Sequence, residues 1–207
     1  MNRARRLGSG FDAVLATVAL LGTVIVASLL WLALSVLVVP MPAATAALFS
    51  TVGRAVAGVA GNPFADFLAG LRAHWRGASA VGGPALLLGV VIAVDALFFL
   101  GQPSDLPRGI GWLFVSLFVL WCALMLLFWP VLVFRDASTW QRLVKESFWL
   151  TMGTVPWRLG AVALCGLVVF TAVLYPVLIP FVPGVIALIG SWLALRTFHR
   201  YGLPVQL

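Results

Sequence analysis

Charged side chains are scarce in this sequence: of its 207 residues only 9% are Asp, Glu, Lys or Arg, and 63% are hydrophobic. A soluble domain is about one quarter charged and about half apolar, so a soluble protein of this composition would lack the polar surface that faces water. A bilayer removes that requirement, because lipid is itself an apolar solvent. Since a transmembrane helix needs ~20 apolar residues, the length allows roughly four to six spans and leaves no room for a separate soluble domain.

Acidic residues and lysine are especially rare, with six Asp or Glu and Lys145 as the single lysine, so that the formal net charge is +7. A basic balance is one signature of nucleic-acid binding. Here the basic residues are few and lie between apolar runs, where such residues fix the orientation of spans and meet anionic headgroups. The sequence therefore predicts the lipid bilayer as a partner and no nucleic acid.

Cysteine and histidine are nearly absent, with two of each. Cys122 and Cys165 lie inside apolar runs without CxxC spacing, and small buried hydrophobes are the expected role for such thiols. His74 and His199 stand beside arginines and lack the spacing of metal ligands. No Ser-His-Asp or Cys-His set is recognisable. The sequence therefore predicts no enzyme, no cofactor and no metal site.

The apolar runs predict an all-α fold, a polytopic membrane helix bundle that forms one integral membrane domain over residues 1–207. About five transmembrane helices are expected, at residues 11–39, 81–100, 109–134, 159–175 and 177–195. The first run is nearly twice as long as the ~7–15 apolar residues of a signal peptide, so it is expected to be a retained span that ends before Pro40 and Pro42. A hairpin within this run, which would give six crossings, is the alternative.

Two further segments have helical periodicity with one apolar face, which is typical of helices lying in the membrane surface. The first, residues 62–76, begins with Asn62 and Pro63 as an N-cap and a first-turn proline, and Gly77 is expected to end it. The second, residues 138–152, begins with a capping box from Ser138 to Gln141. Its apolar stripe contains Trp140, Leu143, Val144 and Phe148.

The distribution of Lys and Arg predicts the orientation, because cytoplasmic loops carry the excess of positive charge. With five spans, nine basic residues follow spans one, three and five, and four lie at the N-terminus and in the turn at Arg108. This places the C-terminus in the cytoplasm and the N-terminus outside. The hairpin alternative would place both termini inside.

Short motifs give the chain a resemblance to a known family. Trp31-Leu32-Ala33-Leu34 is followed by a segment from Pro42 to Phe49 that contains Thr45, Ala46, Ala47 and Leu48. This order resembles the proline-alanine-threonine-alanine-alanine-leucine signature of the YesL-like family of bacterial membrane proteins. Asp95 with the apolar and aromatic residues after it, and the end Trp192 to Arg196, are also similar to that family.

The resemblance implies a bacterial inner-membrane protein without an established biochemical activity, in a family often linked by genome neighbourhood to carbohydrate uptake. It favours an accessory or regulatory partner of a sugar transporter. The alternative is a small secondary transporter, in which Asp95 and the proline-broken run 176–183 line a site.

Asp95 is the one acidic residue well inside a predicted span. A charge near the middle of a bilayer costs about 2.5–3.5 kcal/mol on insertion scales, so its presence calls for a reason. A proton, ion or substrate site is the functional interpretation. The structural alternatives are a protonated side chain, a hydrogen bond to a neighbouring helix, or an ion pair with Arg108. The tryptophans are expected to form interfacial belts, and Gly82 and Gly83 to allow close helix packing.

Overall fold

The computed structural model describes residues 2–59, 61–135, 140–152, 155–203 and 205, and this part of the chain is helical without a β-strand. The helices are α1 (Asn2–Ser35), α2 (Met41–Val56), α3 (Pro63–Leu100), α4 (Asp105–Phe134), α5 (Trp140–Met152), α6 (Val155–Leu174) and α7 (Val182–Arg200), with a short 3-10 helix (Pro176–Phe181) between α6 and α7. The predicted all-α class is confirmed.

Four helices in the described part of the chain are long and apolar enough to cross a membrane: Val14–Ser35, Pro63–Leu100, Asp105–Phe134 and Pro176–Arg200. The predicted fourth span corresponds to a shorter apolar helix, Gly160–Leu174. The molecule is therefore a helical membrane bundle.

The first apolar run forms one helix, not a hairpin, because α1 is continuous from Asn2 to Ser35. The chain turns over residues 36–40, where Val38 has a φ of 57°, a left-handed conformation that β-branched residues rarely adopt. The six-crossing alternative required the chain to reverse direction inside this run, and that predicted hairpin is therefore wrong.

Helix α2 is an element that the sequence pattern did not predict. Pro40 and Pro42 were expected only to end a helix, yet Pro42 also lies in the first turn of α2, where its missing N–H is not needed and its fixed φ suits the helix. Ten of the 16 residues of α2 are buried, and α1, α3, α4 and α7 all pack against it. It is therefore an internal helix of the bundle.

Helix α3 begins as predicted, because the Asn62 side chain accepts a hydrogen bond from the backbone N–H of Phe64 at 3.0 Å. The predicted stop at Gly77 is wrong, since the helix continues to Leu100 and joins two segments that the sequence separated. A glycine inside a helix costs about 1 kcal/mol relative to alanine. Burial of Ala78 and Val81 in the next turn offsets that cost.

The packed core lies toward one end of the bundle. Helix α2 runs antiparallel to the first half of α3, since Gly82 lies by Pro42 and Gly70 lies by Ala47 and Ser50. Apart from Gly111, the buried residues of α4 lie in its last 12 residues, 123–134. By contrast, the second half of α3 and the first half of α4 expose many apolar side chains, which suits contact with lipid.

The segment after α4 forms the predicted helix, α5, from Trp140 to Met152. Ser138 and Thr139 of the predicted capping box lie outside the described residues. Helices α6 and α7 pack together, with the proline-broken run between them forming the 3-10 helix.

Candidate functional site

The family-like motif lies on α2 and is directed into the protein. Pro42, Ala46, Ala47 and Leu48 are buried and Thr45 is partly buried. Alanines on two sides of a helix allow neighbouring backbones to approach closely. The motif therefore builds the helix packing at the centre of the bundle.

Thr45 links α2 to α1 by a side-chain hydrogen bond. The indole N–H of Trp31 donates to the Thr45 hydroxyl at 3.0 Å, and that hydroxyl donates to the Met41 carbonyl at 2.8 Å. A buried indole N–H needs an acceptor, and the threonine supplies one at this position. Two parts of the family-like pattern, the tryptophan and the threonine, are thus brought together.

Gly82 makes room for an aromatic side chain of α4. A Cβ at Gly82 would collide with the Trp129 ring and touch Pro42, so the prediction of close packing is confirmed there. Gly83 faces open space and does not share this role. Trp129 is only 4% exposed, and its predicted place in an interfacial belt was therefore wrong.

Asp95 lies on α3 and is half-buried. The predicted pairing with Arg108 is not made, since the Arg108 guanidinium lies 3.4 Å from Asp105, at the start of its own helix. Among the residues that the structure describes, no basic side chain lies within ion-pair distance of Asp95. The structure also does not bring Asp95 to the 3-10 helix, which packs on α1, α6 and α7.

Two ion pairs join neighbouring helices at one end of the bundle, and the sequence did not predict them. Arg54, at the end of α2, lies 3.7 Å from Asp66 of α3. Arg135, just after α4, pairs with Glu146 of α5 at 2.7 Å, and its side chain is only 11% exposed. Sequence periodicity could not find these pairs, because each joins different helices.

Helix α5 has one face on the bundle and one face outside. Leu143 is fully buried and belongs to the core, whereas Val144, Phe148 and Trp149 are 41%, 45% and 66% exposed. The residues of the predicted apolar stripe therefore do not all face the same way. Leu143 attaches α5 to the bundle, and the exposed residues Val144, Phe148 and Trp149 form what we call the α5 outer face.

No group of three or more His, Cys, Asp or Glu side chains that could hold a metal ion is present in the described part of the chain. His74 is half-buried on α3, whereas His199 is exposed near the end of α7. Cys122 and Cys165 are half-buried free thiols on α4 and α6.

The fold and these features define a polytopic helical membrane protein. Residues 24–96 match the model of a family described as "Protein of unknown function, DUF624". The match covers 73 of the 207 residues and includes the last 12 residues of α1, all of α2, and α3 as far as Ala96. It therefore contains the α2 motif and Asp95. Neither the curated proteins nor the solved structures contain a match.

Proposed function

We propose that this chain is a YesL-like bacterial inner-membrane protein that acts, without catalytic activity of its own, as an accessory or regulatory partner of a carbohydrate uptake system. The match to a family of unknown function is consistent with this proposal and supplies no activity. The link to carbohydrate uptake comes from the resemblance of the motifs at Trp31, Pro42 to Phe49 and Asp95.

The observation that carries a docking role is the α5 outer face. Phe148 and Trp149 are exposed on a helix whose other side is fixed by Leu143 and by the ion pair from Arg135 to Glu146. An amphipathic helix that is held rigidly with aromatic side chains outward is suited to a groove on a partner as well as to lipid. Aromatic residues are also enriched where interfaces concentrate their binding energy.

Co-purification from native membranes in mild detergent tests the proposal. The tagged protein should recover transporter subunits, and the double variant Phe148→Ser with Trp149→Ser should lose them while keeping its melting temperature. The matched control is Leu97→Ser with Phe98→Ser, because both side chains are exposed on α3 and far from α5 in sequence. Recovery of no transporter subunit by the unaltered protein, or equal recovery by both double variants, would contradict the proposal.

A small secondary transporter is the second candidate, favoured by one observation. Asp95 is half-buried on a membrane-spanning helix and has no ion-pair partner among the described residues, and an ionisable side chain inside a membrane commonly marks a proton or ion pathway. Reconstituted uptake should then fall in Asp95→Asn and persist in Asp105→Asn, whose carboxylate is fully exposed. Uptake that is equal in the two variants would remove Asp95 from the mechanism.

A further inference from the structure

Helices α6 and α7 enclose an apolar groove. Its volume is about 490 Å³, and it is lined by Gly160, Ala161, Leu164, Leu188, Ile189, Trp192 and Leu193. The volume falls within the range of about 300–1,000 Å³ that is common for small-molecule sites. Apolar atoms line almost all of the groove, so a molecule bound there must be apolar where it contacts the groove.

Basic side chains lie at one end of this groove. The Arg196 guanidinium lies 5.2 Å from the centre of the Trp192 ring, and Trp192 is a wall of the groove. This cation–π contact holds the guanidinium beside the groove. Arg200 follows one helical turn later, and both arginines are exposed.

No described carboxylate neutralises the charge of these two arginines. Within the described part of the chain, no carboxylate lies within ion-pair distance of Arg196 or Arg200. A guanidinium is well matched to the oxygens of a phosphate, which it binds with two parallel hydrogen bonds. Basic sites between transmembrane helices recognise anionic lipid headgroups in this way.

We propose that the groove between α6 and α7 binds one anionic phospholipid, with its phosphate at Arg196 and Arg200 and an acyl chain between Leu164 and Ile189. The apolar end and the basic end of the groove match the acyl chain and the headgroup of such a lipid. The apolar walls accept hydrocarbon, and the arginines favour a net negative headgroup over a zwitterionic one.

Gly160 provides a sharp test of the apolar end. A Cβ at Gly160 would meet no atom within 4 Å, so Gly160→Leu should fill the groove without distorting the helix. Gly166 also lies on α6 in open space and does not line the groove, which makes Gly166→Leu the matched control. For the charged end, Arg196→Gln is compared with Arg76→Gln, an exposed arginine on α3.

Native mass spectrometry of the detergent-purified protein, titrated with phosphatidylglycerol or phosphatidylcholine, measures the binding. One phosphatidylglycerol should bind saturably and in preference to phosphatidylcholine. Arg196→Gln should weaken its binding about tenfold, the equivalent of one charge-assisted hydrogen-bonded contact. Gly160→Leu should abolish it, and both controls should bind normally.

Three results would overturn the proposal. Equal binding of the two lipids would show a non-selective lipid contact, and undiminished phosphatidylglycerol binding in Gly160→Leu would place the lipid elsewhere. A dimer that dissociates in Gly160→Leu would identify a second copy as the occupant. Circular dichroism of each variant checks that the helices are intact.

Discussion

Single residues in this bundle act mainly by adjusting how closely two helices approach. Small side chains on α2 let the neighbouring helices pack closely against it. Glycines on α3 and α7 leave room for large side chains of other helices. A Cβ at Gly190, for example, would press on the ring of Phe49 and on Leu126. Because helix association in a membrane depends on van der Waals contact and on hydrogen bonds between helices, such positions are expected to be sensitive to single substitutions.

The hydrogen bond between Trp31 and Thr45 predicts a specific loss of stability. Thr45→Val removes the acceptor of the indole N–H and should lower the free energy of unfolding by about 1–2 kcal/mol. Thr171→Val is the control, because that hydroxyl donates only to Leu167 of its own helix, at 2.8 Å. SDS titration followed by circular dichroism measures both variants. An equal loss in the two would show that the contact between helices contributes nothing.

Neighbouring glycines of α3 should respond in opposite ways to alanine. Gly82→Ala forces the Trp129 ring to move and should destabilise the protein by about 1–3 kcal/mol. Gly83→Ala meets open space and gains helix propensity of up to about 1 kcal/mol, so its stability should be unchanged or slightly higher. Thermal unfolding in the same detergent compares the pair, and a destabilised Gly83→Ala would refute the assigned packing.

At the scale of elements, local chemistry predicted the start of α3 at Asn62 correctly and its end at Gly77 wrongly. The Asn62 cap could be recognised because it involves only its own helix. The absence of a stop at Gly77 depends on what α2 contributes to the packing around Ala78, which no local pattern contains. Helix α2 was missed because its side chains are mostly small and Arg54 interrupts the run, and the four helices that bury it are not visible in a local pattern.

In the candidate site, too, the sequence predicted local features and not the contacts between helices. The sequence singled out Pro42, Thr45 and Asp95 from motif resemblance and from the cost of a charge in a membrane. It could not reveal that Thr45 accepts the Trp31 hydrogen bond, since 14 residues separate the two. Nor could it exclude Leu143 from the outer stripe of α5, because helical spacing alone does not show which side of that stripe faces the bundle.

The ion pair from Arg135 to Glu146 should control the attachment of α5. Glu146→Gln leaves a nearly buried guanidinium without its counter-charge, and α5 should be destabilised by about 1–3 kcal/mol. Limited proteolysis within Trp140–Met152 should then become faster. Asp105→Asn, which breaks the exposed pair with Arg108, should leave proteolysis unchanged. Equal rates for Glu146→Gln and the unaltered protein would show that Leu143 alone retains α5.

At the scale of the whole molecule, the basic segments meet at one end. Arg54 pairs with Asp66 at the start of α3, and Gly53 lies by Phe134 at the end of α4. The 38 residues of α3 span ~57 Å at 1.5 Å per residue, which exceeds the ~30 Å of hydrocarbon in a bilayer. Because Asp66, Arg72 and Arg76 lie in the first part of α3, we expect that part to extend beyond the hydrocarbon, together with the core residues packed on it.

This arrangement predicts the sidedness of three positions. Cysteines at Arg72 and Lys145, in a background without Cys122 and Cys165, should resist a membrane-impermeant thiol reagent in intact cells, because both lie at the basic end that the charge distribution places in the cytoplasm. A cysteine at Ser104, in the turn between α3 and α4, should be labelled. Labelling of both basic-end positions would reverse the orientation, and labelling of only one would disprove their common side.

The central claim is that the segment matched by the family model contains a buried helix, α2, around which the bundle packs. Hydrogen–deuterium exchange of the detergent-solubilised protein tests it directly, without any substitution. The account predicts that backbone amides of Met41–Val56 exchange as slowly as those of residues 123–134 in α4, and far more slowly than those of the exposed Asn62 and Ser104. Exchange across α2 as fast as at Asn62 and Ser104 would contradict the account.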